Sequence, residues 1–149
     1  MQKVFVDTNF IIDLVARPEF SGLISDILSK GRKKGIDFSI CFLSLANYAY
    51  IDRKKNKKEL YENLRMLCKV FRVIPNNLAN IEESISLEPK DFEDAIQYCS
   101  ALMGKCECII TRNKKDFISF SQIPIFTPIE FLEFLKREKE DRNDIERKS

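Results

Sequence analysis

The sequence predicts an α/β fold in which a parallel sheet is covered by helices on both faces. Short apolar runs of strand length alternate with longer stretches whose apolar residues recur at helical spacing. Continuously apolar runs are typical of strands that are buried on both faces, and repeated strand–helix units join such strands through right-handed crossovers. We therefore expect a three-layer α/β/α sandwich with a central parallel sheet of about four or five strands.

The first half of the chain is expected to contain three strands and four helices. Pro18 separates the first two helices, because proline cannot continue a helix that precedes it. The predicted strands cover residues 3–7, 37–42 and 71–74. The predicted helices cover residues 9–16, 19–31, 44–54 and 57–69.

The second half is expected to contain two helices, residues 77–86 and 91–103, and two strands, residues 107–110 and 123–126. The helix 91–103 has one main apolar stripe, which consists of Phe92, Ala95, Ile96, Cys99, Leu102 and Met103. Asp94 lies off this stripe, in line with Tyr98 and Ala101. Helical periodicity alone therefore predicts that Asp94 is exposed.

Length and composition indicate one domain with a substantial core. The chain has 149 residues, of which 44% are hydrophobic and 12 are Phe. We expect the domain to cover residues 1–135. Residues 136–149 are almost wholly charged, with both signs mixed, which favours a frayed or disordered C-terminal tail.

The charge balance excludes wholesale electrostatic binding to nucleic acid. Charged residues make up 32% of the chain, yet the formal net charge is only +2, so any basic surface must be local. No apolar run approaches the roughly 20 residues that a membrane span requires. These features predict a protein that does not enter the membrane.

Histidine is absent, which removes the usual general base and every catalytic triad built on imidazole. Chemistry must therefore depend on carboxylates, hydroxyls, Lys or Cys. The five cysteines are odd in number and lie mostly among apolar residues, which predicts reduced thiols and a cytoplasmic location. Cys106 and Cys108 lack the further ligands that a thiolate zinc site needs.

Three acidic motifs stand at the predicted ends of strands or the start of a helix. The first is Asp7-Thr8-Asn9, directly after the first strand. The second is the segment from Asp91 to Ala95, and the third is the loop from Thr111 to Phe117 after the strand 107–110. Ligands of open α/β sheets bind at the carboxyl ends of the strands, so these acids are expected to share one cleft.

Taken together, the order and spacing of these motifs resemble the PIN domain family of metal-dependent ribonucleases, over residues 1 to about 135. Many members are toxins of bacterial toxin–antitoxin pairs. The resemblance implies an endoribonuclease that hydrolyses RNA phosphodiester bonds with Mg²⁺ or Mn²⁺ as cofactor. It also implies a small antitoxin protein as partner and a homodimer. Hard cations choose oxygen ligands and can activate water, so this chemistry needs no histidine.

The resemblance also implies roles for individual residues. Asp7, Asp94 and Asp116 are expected to be the catalytic residues and metal ligands. Supporting roles fall to Thr8, Asn9, Asn47, Asp91, Glu93, Thr111 and Asn113. Substrate phosphates are expected to contact Arg112, Lys114 and Lys115.

Each of these residues also has a purely structural interpretation. Asp7 is a suitable N-cap for the helix that follows it. Asp91 and Asp94 have the spacing of an N-cap and the third residue of its helix, as in a capping box. Asp116 and Asn113 are common turn residues, and the basic side chains of the loop are compatible with ordinary solvated charge.

One position departs from the family pattern. PIN toxins generally carry a Glu on the helix after the second strand, and the best matching position here is Asn47. An Asn can offer a carbonyl oxygen to Mg²⁺, but the site loses one negative charge. Two interpretations therefore stay open: a working nuclease in which Glu93 or another acid compensates, or a weak or inactive module that binds RNA or a protein partner.

Overall fold

The computed structural model describes residues 1–149, and its centre is a parallel sheet. The strands are β1 Lys3–Val6, β2 Asp37–Cys41, β3 Arg72–Ile74, β4 Cys108–Ile110 and β5 Ile125–Phe126. They form one five-stranded sheet in the order β3-β2-β1-β4-β5. All four pairings are parallel, so the predicted fold class is confirmed.

Eight helices connect and cover the strands. They are α1 Thr8–Ala16, α2 Pro18–Lys33, α3 Phe42–Ile51, α4 Lys57–Val70, α5 Leu78–Ser86, α6 Phe92–Met103, α7 Lys115–Ile118 and α8 Pro128–Lys148. Side chains that accept hydrogen bonds from free N–H groups cap five of them: Asp7, Asn56, Asn77, Asp91 and Thr127. The one-turn helix α7 was not predicted. No helix is both long enough and apolar enough to cross a membrane.

The central strand β1 divides the core into two layers. Its side chains alternate, so Val4 and Val6 pack on one face and Phe5 packs on the other. All three are fully buried. One face of the sheet lies against α1, α2 and α8, and the other lies against α6. The carboxyl end of β1 therefore opens between the two helical layers.

The buried face of α6 differs from the predicted stripe. Phe92, Leu102 and Met103 are 45%, 37% and 36% exposed, whereas Tyr98 and Ala101 are buried. Asp94 belongs to the row of Tyr98 and Ala101, so the prediction that it lies on an exposed face was wrong. The reason is that α6 packs between α5 and the sheet, and it buries small and polar residues that a hydrophobic pattern does not detect.

The charged C-terminal segment continues helix α8 as far as Lys148. Glu, Lys and Arg are good helix formers, and a capping box formed by Thr127 and Glu130 starts the helix. Lys34 also attaches α8 to α2, because its Nζ donates to the Leu135 carbonyl at 2.5 Å and lies 3.8 Å from Glu138. The division of the chain at residue 135 stays a prediction.

Two glycines of α2 give a matched test of the packing between this helix and β2. A Cβ on Gly31 would lie 2.5 Å from Cζ of the buried Phe38 ring, whereas a Cβ on Gly22 meets nothing within 4 Å. We expect Gly31→Ala to lower the free energy of unfolding by about 1–3 kcal/mol through overpacking. Gly22→Ala should raise it by about 0.5–1 kcal/mol through helix propensity. Urea denaturation of both variants measures this, and equal effects would contradict the close packing at Gly31.

Candidate active site

A cleft of about 300 Å³ opens at the carboxyl end of the central strands. Its walls come from the starts of α1 and α6, from α3 and from α7. The lining residues are Asp7, Thr8, Asn9, Ile12, Asn47, Tyr50, Ile51, Asp91, Glu93, Asp94, Gln97 and Asp116. The structure thus brings together the three aspartates predicted as metal ligands and most of the residues predicted to support them. No lysine or arginine lines the cleft.

Asp7 is a buried carboxylate held by neutral donors. Its Oδ1 accepts the Phe10 N–H at 3.2 Å as the N-cap of α1, and its Oδ2 accepts the Thr111 hydroxyl at 2.7 Å. Burial raises the pKa of Asp7 to about 6, although the hydrogen bond from Thr111 acts in the opposite direction. Asp7 is therefore both a helix cap and a cleft carboxylate, oriented by neutral groups and without a direct ion pair.

Asp94 faces the cleft from the first turn of α6. Burial raises its pKa to about 7, and repulsion from Asp91, Asp116 and other cleft acids adds to this shift. The N-cap function belongs to Asp91, whose side chain accepts the Glu93 N–H at 3.0 Å. Asp94 forms no hydrogen bond back to Asp91, so the capping-box interpretation explains Asp91 but not Asp94.

Asp116 reaches the cleft because α7 is anchored beside it. The next residue, Phe117, is fully buried in the core layer that contains Phe5 and Tyr98. The Asp116 N–H donates to the Asn113 carbonyl at 3.0 Å, which closes the turn. Asn113 itself is exposed and does not line the cleft, so its contribution is to the loop.

A polar network links α1, α3 and α6 below the acids. Asn47 Nδ2 donates to Glu93 Oε1 at 2.5 Å, and the Thr8 hydroxyl donates to the same oxygen at 3.3 Å. The Thr8 hydroxyl also contacts the Ser44 hydroxyl at 2.8 Å, and the Thr8 N–H donates to Gln97 Oε1 at 3.1 Å. Ser44 and Gln97 were not predicted from the sequence. A polar residue in the buried centre of α6 was the available signal for Gln97.

The basic residues of the loop after β4 are placed differently from the prediction. Arg112 Nε lies 2.8 Å from Oδ2 of the buried Asp13, and the guanidinium also lies 5.4 Å from the Phe20 ring. Lys114 pairs with Glu130 on α8 at 3.1 Å, and Lys115 is exposed outside the cleft. Both Arg112 and Lys114 are engaged with acids outside the cleft, and their phosphate role stays a prediction.

The donor set of the cleft suits a hard divalent cation. Carboxylate, amide and hydroxyl oxygens line it, and Asp94 has no hydrogen-bond partner within the protein. No group of three or more His, Cys, Asp or Glu side chains is gathered tightly enough to enclose a metal ion. Mg²⁺ commonly uses one or two carboxylates and keeps several waters, so it does not require such a group.

The chain is similar to known proteins over most of its length. The family model described as PIN domain matches residues 3–115. The chain belongs to the PIN domain family. A curated relative, Ribonuclease VapC1 of Aquifex aeolicus (strain VF5), is 28% identical over 141 residues, which cover 89% of this chain and 94% of the relative.

Two solved structures have a similar fold. A chain of the toxin–antitoxin complex from Klebsiella pneumoniae is 27% identical, with a TM-score of 0.61, and the match covers 84% of this PIN domain chain and 97% of that chain. A chain of VapBC-1 from nontypeable Haemophilus influenzae has a TM-score of 0.67 at 18% identity, with 86% and 99% of the two chains covered. The second likeness supports the fold alone.

The raised pKa of Asp7 predicts a pH dependence of stability in EDTA. Its pKa rises from 3.8 to about 6 on folding, so the folded PIN domain retains a proton that the unfolded chain loses between these values. The stabilisation is complete below about pH 4 and is lost as the pH rises through about 6, with a magnitude of roughly 3 kcal/mol. Asp7→Asn should therefore gain stability over the wild type as the pH rises from 4 to 8.

Chemical denaturation across this pH range measures the difference between Asp7→Asn and the wild type. Asp144→Asn, at an exposed position of α8, is the matched control and should parallel the wild type. A constant difference between Asp7→Asn and the wild type would contradict the burial of an uncompensated carboxylate.

A separate prediction concerns the pair of Arg112 and Asp13. Asp13 is buried, and Arg17 is its other cationic neighbour at 3.6 Å, so Arg112→Gln should leave the carboxylate poorly compensated. We expect the free energy of unfolding to fall by about 1–3 kcal/mol, less than for a fully buried pair because Arg112 is 31% exposed. Lys115→Gln should change it by less than about 0.5 kcal/mol. Weaker RNA binding by Arg112→Gln at unchanged stability would instead support the predicted phosphate role of Arg112.

Proposed function

We propose that this PIN domain is a metal-dependent endoribonuclease and the toxin of a toxin–antitoxin pair. The observation that carries the proposal is an acidic cleft without basic residues, lined by Asp7, Asp94 and Asp116 from three separate segments of the chain. RNA is a polyanion, so these carboxylates would repel its phosphates unless a cation lay between them. The near full-length similarity to Ribonuclease VapC1 supports the same activity.

Asp7, Asp94 and Asp116 are the residues that would hold Mg²⁺ or Mn²⁺. When bound, the cation would activate water and neutralise charge on the scissile phosphate. Thr111 and the Phe10 N–H orient the Asp7 carboxylate without neutralising it. The Asp94 side chain forms no hydrogen bond within the protein, so it can bind a cation without breaking one. The identity of the cation, Mg²⁺ or Mn²⁺, is part of this proposal.

The rim of the cleft offers a surface for single-stranded RNA. Tyr50 is 66% exposed, lines the cleft and has the Arg53 guanidinium 4.1 Å from its ring centre. An exposed aromatic ring can stack on an unpaired base, and an adjacent arginine can contact the backbone. We propose that these two residues take the substrate-binding role that the sequence suggested for Arg112 and Lys114.

The partners follow from the same proposal. The similarity to a chain of the Klebsiella pneumoniae toxin–antitoxin complex supports a small antitoxin protein that would hold the nuclease inactive. A second copy of the chain is the other partner that the family resemblance implies. An antitoxin reading frame beside the gene would be direct support for the toxin role.

A catalytically weak PIN-like module that binds RNA or protein is the second candidate. It is favoured by Asn47, which stands where the family toxins generally carry Glu, and by the wide spacing of the cleft carboxylates. The two candidates differ in metal dependence. The nuclease cuts RNA only with Mg²⁺ or Mn²⁺, whereas the module binds without cutting.

Asp7→Asn tests the nuclease directly, because it removes one charge from the cleft and preserves the shape of the side chain. Loss of residues that only orient metal ligands costs about 10- to 100-fold, so loss of a ligand should lower Mn²⁺-dependent cleavage by at least about 100-fold. Cleavage of a fluorogenic single-stranded RNA, with and without EDTA, gives the rate.

Asp144→Asn is the control and should cleave as fast as the wild type, since its side chain is exposed on α8. Unchanged cleavage by folded Asp7→Asn would exclude Asp7 from the mechanism. A wild-type protein that binds RNA but never cuts it with either metal would favour the binding module.

A further inference from the structure

Glu93 is held in the cleft by residues from two other helices. Its Oε1 accepts hydrogen bonds from Asn47 on α3 at 2.5 Å and from the Thr8 hydroxyl on α1 at 3.3 Å. A first-turn glutamate that served only the dipole of its own helix would need no such partners. The carboxylate of Glu93, which lines the cleft, is therefore held in place by the tertiary structure.

Both donors are neutral, so they orient Glu93 without compensating its charge. None of the ion pairs of the protein includes Glu93. Arg112, in the loop after β4, is paired with Asp13 instead. An oriented, half-buried carboxylate without a counter-charge is the form of ligand that a divalent cation can use.

We propose that Glu93 supplies a fourth carboxylate to the metal-binding cleft and that Asn47 is the positioning residue that holds it there. This inference rests on the proposed function. The charge that the family resemblance places on α3 is carried by α6 in this chain, one hydrogen bond away from Asn47. Since the two side chains touch, moving the charge from one to the other keeps it in the same cleft.

The first measurement is calorimetric titration of the full chain with Mn²⁺ alone. Glu93→Gln keeps the size of the side chain and an oxygen that can accept from Asn47 and Thr8, but it removes the charge. We expect its Kd for Mn²⁺ to rise about tenfold or more. Glu82→Gln, an exposed acid of α5 outside the cleft, is the matched control and should bind Mn²⁺ as the wild type does.

The second measurement exchanges the two groups. The double variant Asn47→Glu/Glu93→Gln places the charge on α3 and the amide on α6, and the hydrogen bond persists with donor and acceptor exchanged. It should recover most of the Mn²⁺ affinity that Glu93→Gln loses. Asn47→Glu alone brings two carboxylates into contact, so its Tm in EDTA should fall below that of the wild type and rise more on addition of Mn²⁺.

Asn47→Ala tests the positioning role by itself. It keeps the charge of Glu93 but removes the hydrogen-bond donor. The Kd for Mn²⁺ should therefore lie between that of the wild type and that of an Asp7→Asn variant. A residue that only stabilised the contact between α3 and α6 would lower the Tm and leave the Kd for Mn²⁺ unchanged. That result would overturn the role of Asn47.

The outcomes separate this inference from the function on which it rests. If the wild type binds Mn²⁺ and Asp7→Asn does not, while Glu93→Gln binds as the wild type does, only the role of Glu93 is overturned. A double variant that binds no better than Glu93→Gln overturns the exchange between Asn47 and Glu93. If the wild type takes up no Mn²⁺ at all, the proposed nuclease function fails together with the inference.

Discussion

Burial of the Asp7 carboxylate at the end of the central strand is the constraint on which the site depends. The carboxylate is 4% exposed and is held by the Thr111 hydroxyl and the Phe10 N–H, neither of which carries charge. Burying an uncompensated charge opposes folding, and the raised pKa of Asp7 expresses that cost. The surrounding β1, β4 and α1 must be stable enough to offset it, which the fully buried strands provide.

A second buried aspartate on α1 has different neighbours, although burial raises its pKa as well. Asp13 is 1% exposed, but Arg112 and Arg17 lie 2.8 Å and 3.6 Å from its carboxylate oxygens. Two aspartates six positions apart in sequence thus differ in their neighbours: guanidinium groups pair with Asp13, whereas neutral groups form the hydrogen bonds to Asp7. The compensated aspartate stabilises the packing of α1, and the uncompensated one belongs to the cleft.

The other acids extend this arrangement. Asp94 and Glu93 reach the cleft from the first turn of α6, and Asp116 reaches it from a one-turn helix anchored by the buried Phe117. Repulsion among these like charges opposes folding. Burial of the extensive apolar layers on both faces of the sheet offsets it. Stability and function therefore oppose each other at this edge, and a divalent cation would relieve the repulsion.

Much of this protein could be read from the sequence because it depends on local patterns. The apolar runs that form β1, β2 and β4, the helices between them and the parallel sheet followed from strand and helix periodicity and from Pro18. The motif at Asp7 and the acid at Asp116 were recognisable because strand ends carry their polar residues next to apolar runs. The PIN resemblance was visible in the order and spacing of these motifs, and the comparisons confirm it.

The tertiary structure alone decided which charged side chains have a partner of opposite charge. Periodicity placed Asp94 on an exposed face, but α6 lies between α5 and the sheet, so the row of Tyr98 and Ala101 is buried. The pairing of Arg112 with Asp13 and the contact of Asn47 with Glu93 join residues 99 and 46 positions apart in the chain, so no local pattern could reveal them. The sequence determined which residues end each strand, whereas three-dimensional packing determined their neighbours, and electrostatic compensation depends on distance in space.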